Sequence, residues 1–118
     1  MNRLSVTLRT TPAGPVVELA GELDHNSAPG IRDLVTDLPI EAGRQLVVDL
    51  SGLTFCDSSG ITFLIAARNH ALAAGATIAL AGVPDTVTRI FAIIGLDQVF
   101  PLHLTAQAAE AAWLPRAD

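Results

Sequence analysis

The stretch FCDSSGITFL, residues 55–64, places Asp57, Ser58, Ser59 and Gly60 as a polar island inside an apolar run. These residue types at such a break can do two things. An oxygen of Asp57 or Ser58 can accept from the free N–H groups at a helix start, with Gly60 letting that helix pack closely. A serine at the same place can also be a modification site. A helix start carries partial positive charge, so a phosphate on Ser58 would sit there without unfolding the domain. It would add about −1.5 to −2 charge at neutral pH beside Asp57 and repel an acidic partner. The two roles are compatible. Spacing leaves open which of Ser58 and Ser59 is modified, and whether either is.

Other chemistries find little support. Asp24, His25 and Ser58 name the members of a hydrolase triad, but the nucleophile-elbow pattern needs Gly two residues before the serine, where Cys56 stands. Asp24 and His25 are sequence neighbours and tend to point apart. Cys56 lies between Phe55 and the cap and reads as a small buried hydrophobe. His25, His70 and His103 have no metal-ligand spacing; His70 is expected on an exposed helix face and His103 near a strand end. Ser59-Gly60 alone is no phosphate loop. The chain has no lysine, so it has neither a Schiff-base nor a P-loop lysine. A binding protein is expected rather than an enzyme, with no cofactor and no metal.

The bulk numbers agree. The 118 residues, half of them hydrophobic, make one domain over 1–118 with a buried core. Seven arginines against twelve Asp plus Glu give a net charge of −5, which disfavours nucleic acid or an anionic membrane as partner. No apolar run approaches the roughly 18 residues of a membrane span. MNRLSVTLRT alternates apolar and polar residues and is no signal peptide. A single cysteine fits a reducing cytoplasm.

The elements that must position the island follow from periodicity. LSVTLR (4–9) and VVELAG (16–21), joined by the turn TPAGP (11–15), read as an antiparallel hairpin. Asn26 or Ser27 can cap a helix with Pro29 in its first turn, Ile31, Leu34, Val35 and Leu38 on one face, and Pro39 as its stop. QLVVDL (45–50) reads as a buried strand, and SGLTFCD as a loop into the island. Ile61, Leu64, Ile65 and Leu72 mark the inner face of the next helix, which Gly75 ends. Phe63 lies off that stripe and is the candidate for an exposed partner contact, with packing on a neighbouring helix as the alternative. ATIALAG (76–82) is a strand. Pro84 opens a helix with Val87, Ile90, Phe91 and Ile94 on one face, Gly95 in the left-handed position and Leu96 folding back on Phe91. DQVFPL gives a short last strand, and Thr105 caps an Ala-rich helix carrying Trp113 before Pro115. The alternation predicts an α/β fold: a mixed sheet of about five strands with about four helices.

VVDLSGLTFCDSSGITFL resembles the signature of STAS-family anti-sigma factor antagonists: a strand ending in Asp-Leu, a loop, Asp-Ser-Ser-Gly, then a helix. GELDHNSAP (21–29) is similar to the family's Gly-Glu-Leu-Asp segment, and VPDTVTRIFAIIGLDQVF to its third helix and following turn. The resemblance covers nearly the whole chain. It implies a bacterial, cytoplasmic regulator that binds an anti-sigma factor, itself a serine kinase of the GHKL ATPase type, and so frees a sigma factor. The kinase phosphorylates the first serine of the motif, here Ser58, and a PP2C-type phosphatase reverses this. Asp24 and Asp57 match acidic positions near the acceptor, and Ser59 and Gly60 complete the motif. Asp24→Ala is expected to weaken docking with thermal stability nearly unchanged. Cys56 stands where the family has an apolar residue, and the missing lysine departs from most members. A scaffolding or nucleotide- or ligand-sensing STAS module of a transporter or stress complex, with no phosphorylation cycle, is the alternative.

Overall fold

The Pro12–Ala13 turn is fastened by Thr11, whose Oγ1 accepts from the Ala13 and Gly14 amides. In this computed structural model, which describes residues 4–113, the turn joins β1 (Ser5–Thr11) to β2 (Gly14–Leu23) as the expected antiparallel hairpin. Gly14 has φ +144°, and a Cβ there would overlap the Gln45 carbonyl oxygen, so glycine is required where the hairpin meets the next strand. The chain continues through α1 (Ala28–Thr36), β3 (Gln45–Cys56), α2 (Ser58–Ala73), β4 (Thr77–Ala81) and α3 (Asp85–Ile94). A 3₁₀ turn (Leu96–Gln98), β5 (Leu102–His103) and α4 (Ala106–Ala112) complete it.

The five strands lie in sequence order, with β1 antiparallel to β2 and β2 through β5 parallel. Parallel neighbours joined in sequence order need crossovers, and crossovers of one hand put their helices on one face. That face holds the main core: Leu46, Val48 and Leu50 of β3 pack with Val35 of α1, Phe63 and Leu64 of α2, and Phe91 of α3. Phe100 joins it, its ring centroid 5.9 Å from that of Phe91. The opposite face is covered by α4, whose Ala106 and Ala109 pack with Val16, Val47, Ala79 and Ala81. The expected α/β class, mixed sheet and four helices are all present.

Several local expectations are corrected. SGLTFC is the second half of β3 rather than a loop, and Asp57 follows the strand directly. The strand's pairing with β2 shifts register between Glu18 and Ala20 and again between Gly21 and Glu22, which destroys the alternation that marks a strand. On α2 the inward residues are Gly60, Phe63, Leu64, Ala67 and Ala71, while Ile65 and Leu72 are 38% and 46% exposed. Small residues let this side approach the sheet, and apolar side chains all round the helix leave the pattern no face to choose. On α3 only Val87 and Phe91 are buried, and Ile90 and Ile94 face outward. Gly95 is left-handed as expected, at φ +81°. The DQV segment forms no strand; β5 is confined to two residues. α1 stops before Leu38, and His70, half-buried, has its Nε2 3.1 Å from the Leu38 carbonyl oxygen. Thr105 caps α4 by accepting from the Ala108 amide. Trp113 is that helix's C-cap residue, and Pro115 lies outside the described residues.

Candidate functional site

The carboxyl ends of β2 and β3 lie side by side, Leu23 paired with Cys56, and the Asp57 amide donates to the Leu23 carbonyl at 3.2 Å. The two junctions that follow, one into α1 and one into α2, bring all the sequence-predicted site residues to one end of the sheet.

Asp57 is the N-cap of α2. Its backbone is extended, and its Oδ1 accepts from the Ser59 amide at 2.8 Å and the Gly60 amide at 3.3 Å. Ser58 is therefore the first residue of the helix. It is exposed, and among the described residues no hydrogen bond holds its hydroxyl. Its carbonyl accepts from Thr62 Oγ1 at 3.0 Å, one turn on along the same face. Gly60 is buried, and a Cβ there would fall 2.6 Å from Cys56 Sγ and 2.9 Å from Leu23 Cγ. Only glycine lets α2 settle onto the strand ends at this depth. Burial pushes the Cys56 thiol up to about 11, with the Asp57 charge adding to the effect. At neutral pH that thiol stays protonated and unreactive.

Asp24 does similar work at the other junction. Its Oδ1 accepts from the Asn26 and Ser27 amides, both at 3.0 Å, and from Ser27 Oγ at 3.3 Å. The Ser27 amide first, opposed next by desolvation and helped by the Asn26 amide, the Ser27 hydroxyl and nearby His25, holds its carboxyl below its ordinary value. Ser27 is the N-cap position of α1, but its hydroxyl donates to the Glu22 carbonyl instead of capping the helix. Asp24 thus fastens its loop.

Between α1 and α2 lies a cleft of about 200 Å³, with His25, Pro29 and Arg32 on one side and Ser59, Thr62 and Phe63 on the other. Phe63 is only 1% exposed. It belongs to the core beneath the cleft and cannot be the exposed contact expected for it; the large inward face that Gly60 and Ala67 create draws it under. The aromatic presented at this end is Phe55, 50% exposed, which borders a narrow space with Pro84, Thr86 and Val87 at the start of α3. Phe55 lies two residues before the cap, exposed because β3 outruns β4, and a segment read from the sequence as a loop gives no sign of this. Arg32 carries no signal either, because its nearness to Ser59 exists only once α1 packs on α2. No group of His, Cys, Asp and Glu among the described residues could hold a metal ion, and no helix among them is long and apolar enough to cross a membrane.

A mixed sheet in this order, with an Asp-capped Ser-Ser-Gly helix start at its carboxyl end, is an α/β domain of the STAS type. The family model described as "Mlab, STAS domain" matches residues 6–105, and the chain belongs to the STAS domain family. A STAS-domain containing protein of Pseudomonas aeruginosa is 33% identical over 86 residues, covering 73% of this chain and 84% of that protein. The anti-sigma-B factor antagonist of Listeria monocytogenes is 26% identical over 84 residues, covering 71% of this chain and 74% of that one. Among solved structures, an anti-sigma factor antagonist from Mycobacterium paratuberculosis superposes with a TM-score of 0.79 at 26% identity, covering 94% of each chain.

Proposed function

We propose that this protein is an anti-sigma factor antagonist acting in a bacterial cytoplasm. It binds an anti-sigma factor that is also a serine kinase, releases the sigma factor held there, and is inactivated by phosphorylation of Ser58. The observation that carries this reading is the state of Ser58: exposed and unbonded, at a helix start that Asp57 and Gly60 fix without its help. Its modification can change a binding surface while the fold stands. The names of the Listeria and Mycobacterium proteins support the partner class.

In the transfer step, Ser58 Oγ attacks the γ-phosphorus of ATP bound to the kinase. The Oγ–P bond forms, the bond to the β–γ bridging oxygen breaks, ADP leaves, and the hydroxyl proton passes to a base on the kinase. A PP2C-type phosphatase returns the serine. Asp24, Asp57, Ser59 and Gly60 shape the acceptor site through their backbone bonds rather than by chemistry of their own.

The test is intact mass with site mapping, on wild type and Ser58→Ala, after incubation with Mg-ATP in a lysate of the native host. One phosphate on wild type, mapped to Ser58 and missing from the variant, is the expected result. In binding assays with the captured kinase, Ser58→Asp binds at least tenfold more weakly than wild type. No phosphate where the kinase is demonstrably active sinks the reading and favours a scaffolding or ligand-sensing STAS module.

A further inference from the structure

A phosphate at a helix start ordinarily takes the free backbone amides there. At Ser58 two of those amides are already used: Asp57 Oδ1 holds the N–H groups of Ser59 and Gly60, leaving the N–H of Ser58 itself. A phosphate on Ser58 meets one free donor and the Asp57 carboxylate there, and a dianion so placed gains from cations across the helix face. Ser58 itself does not line the cleft between α1 and α2, but its neighbour Ser59 and Thr62, bonded to its carbonyl one turn on, both do. The opposite wall carries His25 and Arg32. Arg32 is exposed and takes no part in the ion pairs among the described residues, Arg9–Glu18 and Arg44–Glu41. Of the acidic groups near the cleft, Asp24 and Asp57 each already accept two backbone amides through Oδ1.

We propose that the phosphate of phosphorylated Ser58 docks across this cleft on the Arg32 guanidinium and the His25 ring. The proposal rests on the reading of Ser58 as acceptor and adds how the modification acts. A phosphate so bound makes charge-assisted hydrogen bonds to the guanidinium fork. It ties α1 to α2 and fills the space a partner's side chain would enter. Inactivation is then more than added charge at the surface: the cleft itself is closed.

The test uses the full chain with phosphoserine encoded at position 58, so no kinase is needed. The second ionisation of phosphoserine, near pH 6 in the open, is followed by ³¹P NMR in this protein and in the same protein carrying Arg32→Gln. A cation beside the phosphate favours its dianion. Arg32→Gln should therefore raise the midpoint by roughly half a unit, and His25→Gln should move it in the same direction. Arg32 is exposed, and an unchanged ¹H–¹⁵N spectrum of unphosphorylated Arg32→Gln confirms that the variant folds. Amide shifts on phosphorylation should reach α1 in the parent and be confined to α2 in the variant. Equal midpoints, with shifts confined to α2 in both, overturn the proposal and leave the phosphate in solvent. A lysate that fails to phosphorylate Ser58 tells against the acceptor reading alone and does not alter this result.

Discussion

The two strand-to-helix junctions use the same local chemistry to different ends. Asp24 and Asp57 each accept, through Oδ1, from the amides two and three residues on. Each junction leads into a helix whose third residue is glycine, Gly30 in α1 and Gly60 in α2. Yet α2 starts at the residue after its aspartate, whereas a turn of three residues separates Asp24 from α1. A Cβ at Gly60 would strike Cys56 and Leu23, while at Gly30 it would meet nothing within 4 Å. The first junction is a loop held in shape; the second is a helix start pressed onto the sheet with a serine left outside. Packing beneath the backbone, not the capping chemistry, makes one of them a rigid platform.

The comparison breaks most sharply at the glycines. Gly60→Ala pushes α2 off the strand ends or forces Leu23 and Cys56 aside, and overpacking of this kind costs about 1–3 kcal/mol. Urea unfolding should show that loss, and an unchanged midpoint would mean that α2 is not seated as described. Asp57→Ala comes next. It frees two amides of the first turn of α2 and should cost about 1 kcal/mol, as N-cap losses do. With the cap gone, Ser58 is no longer fixed at the first helical position, so its phosphorylation rate should fall as well. A loss of rate with no loss of stability would show Asp57 acting on the kinase directly rather than as a cap.

What could be read from the sequence was what depends on neighbours along the chain. Asp57 and Thr105 as caps, Gly95 as a left-handed stop and the Thr11–Gly14 turn are local chemistry, and each is where its residue type puts it. What could not be read depends on contacts between elements. α2 is apolar on every side, so only the sheet beneath selects Phe63 and Ala67 as its inner face over Ile65 and Leu72. β3 continues past its last pairing with β4, Asp49 with Ala81, into a bulged pairing with β2, and that overhang is why Phe55 is exposed. The serine was visible as a candidate from its motif; the cleft beside it, with Arg32 on a different helix, was not.

Gly30→Ala sharpens the contrast from the other side. Gly30 does not need a left-handed backbone, and its missing Cβ would face open space. Replacing it removes freedom from the unfolded chain and should raise stability by about 0.4–1 kcal/mol. The same substitution in two helices, at the same position, should therefore have opposite signs. A destabilised Gly30→Ala would show that the space around Gly30 is not open.

The smallest effect belongs to Asp24, and its pH dependence identifies it. Asn at position 24 keeps an oxygen for the Asn26 and Ser27 amides but loses the charge. In the folded protein those bonds hold the Asp24 carboxyl below its ordinary value of 3.8. A group whose folded value is depressed stabilises the protein fully above its unfolded value and loses that stabilisation as pH falls through the folded one. Wild type should therefore melt slightly above Asp24→Asn at all pH values above about 5. The gap should close as the pH falls below 3.8 and vanish once the carboxyl is protonated in both states. Asp24 lies half-buried at the surface, so solvent screening keeps the gap small and added salt narrows it further. No gap at any pH would mean that Asp24 works through shape alone, and a gap undiminished at low pH would mean that something other than its charge separates the two residues.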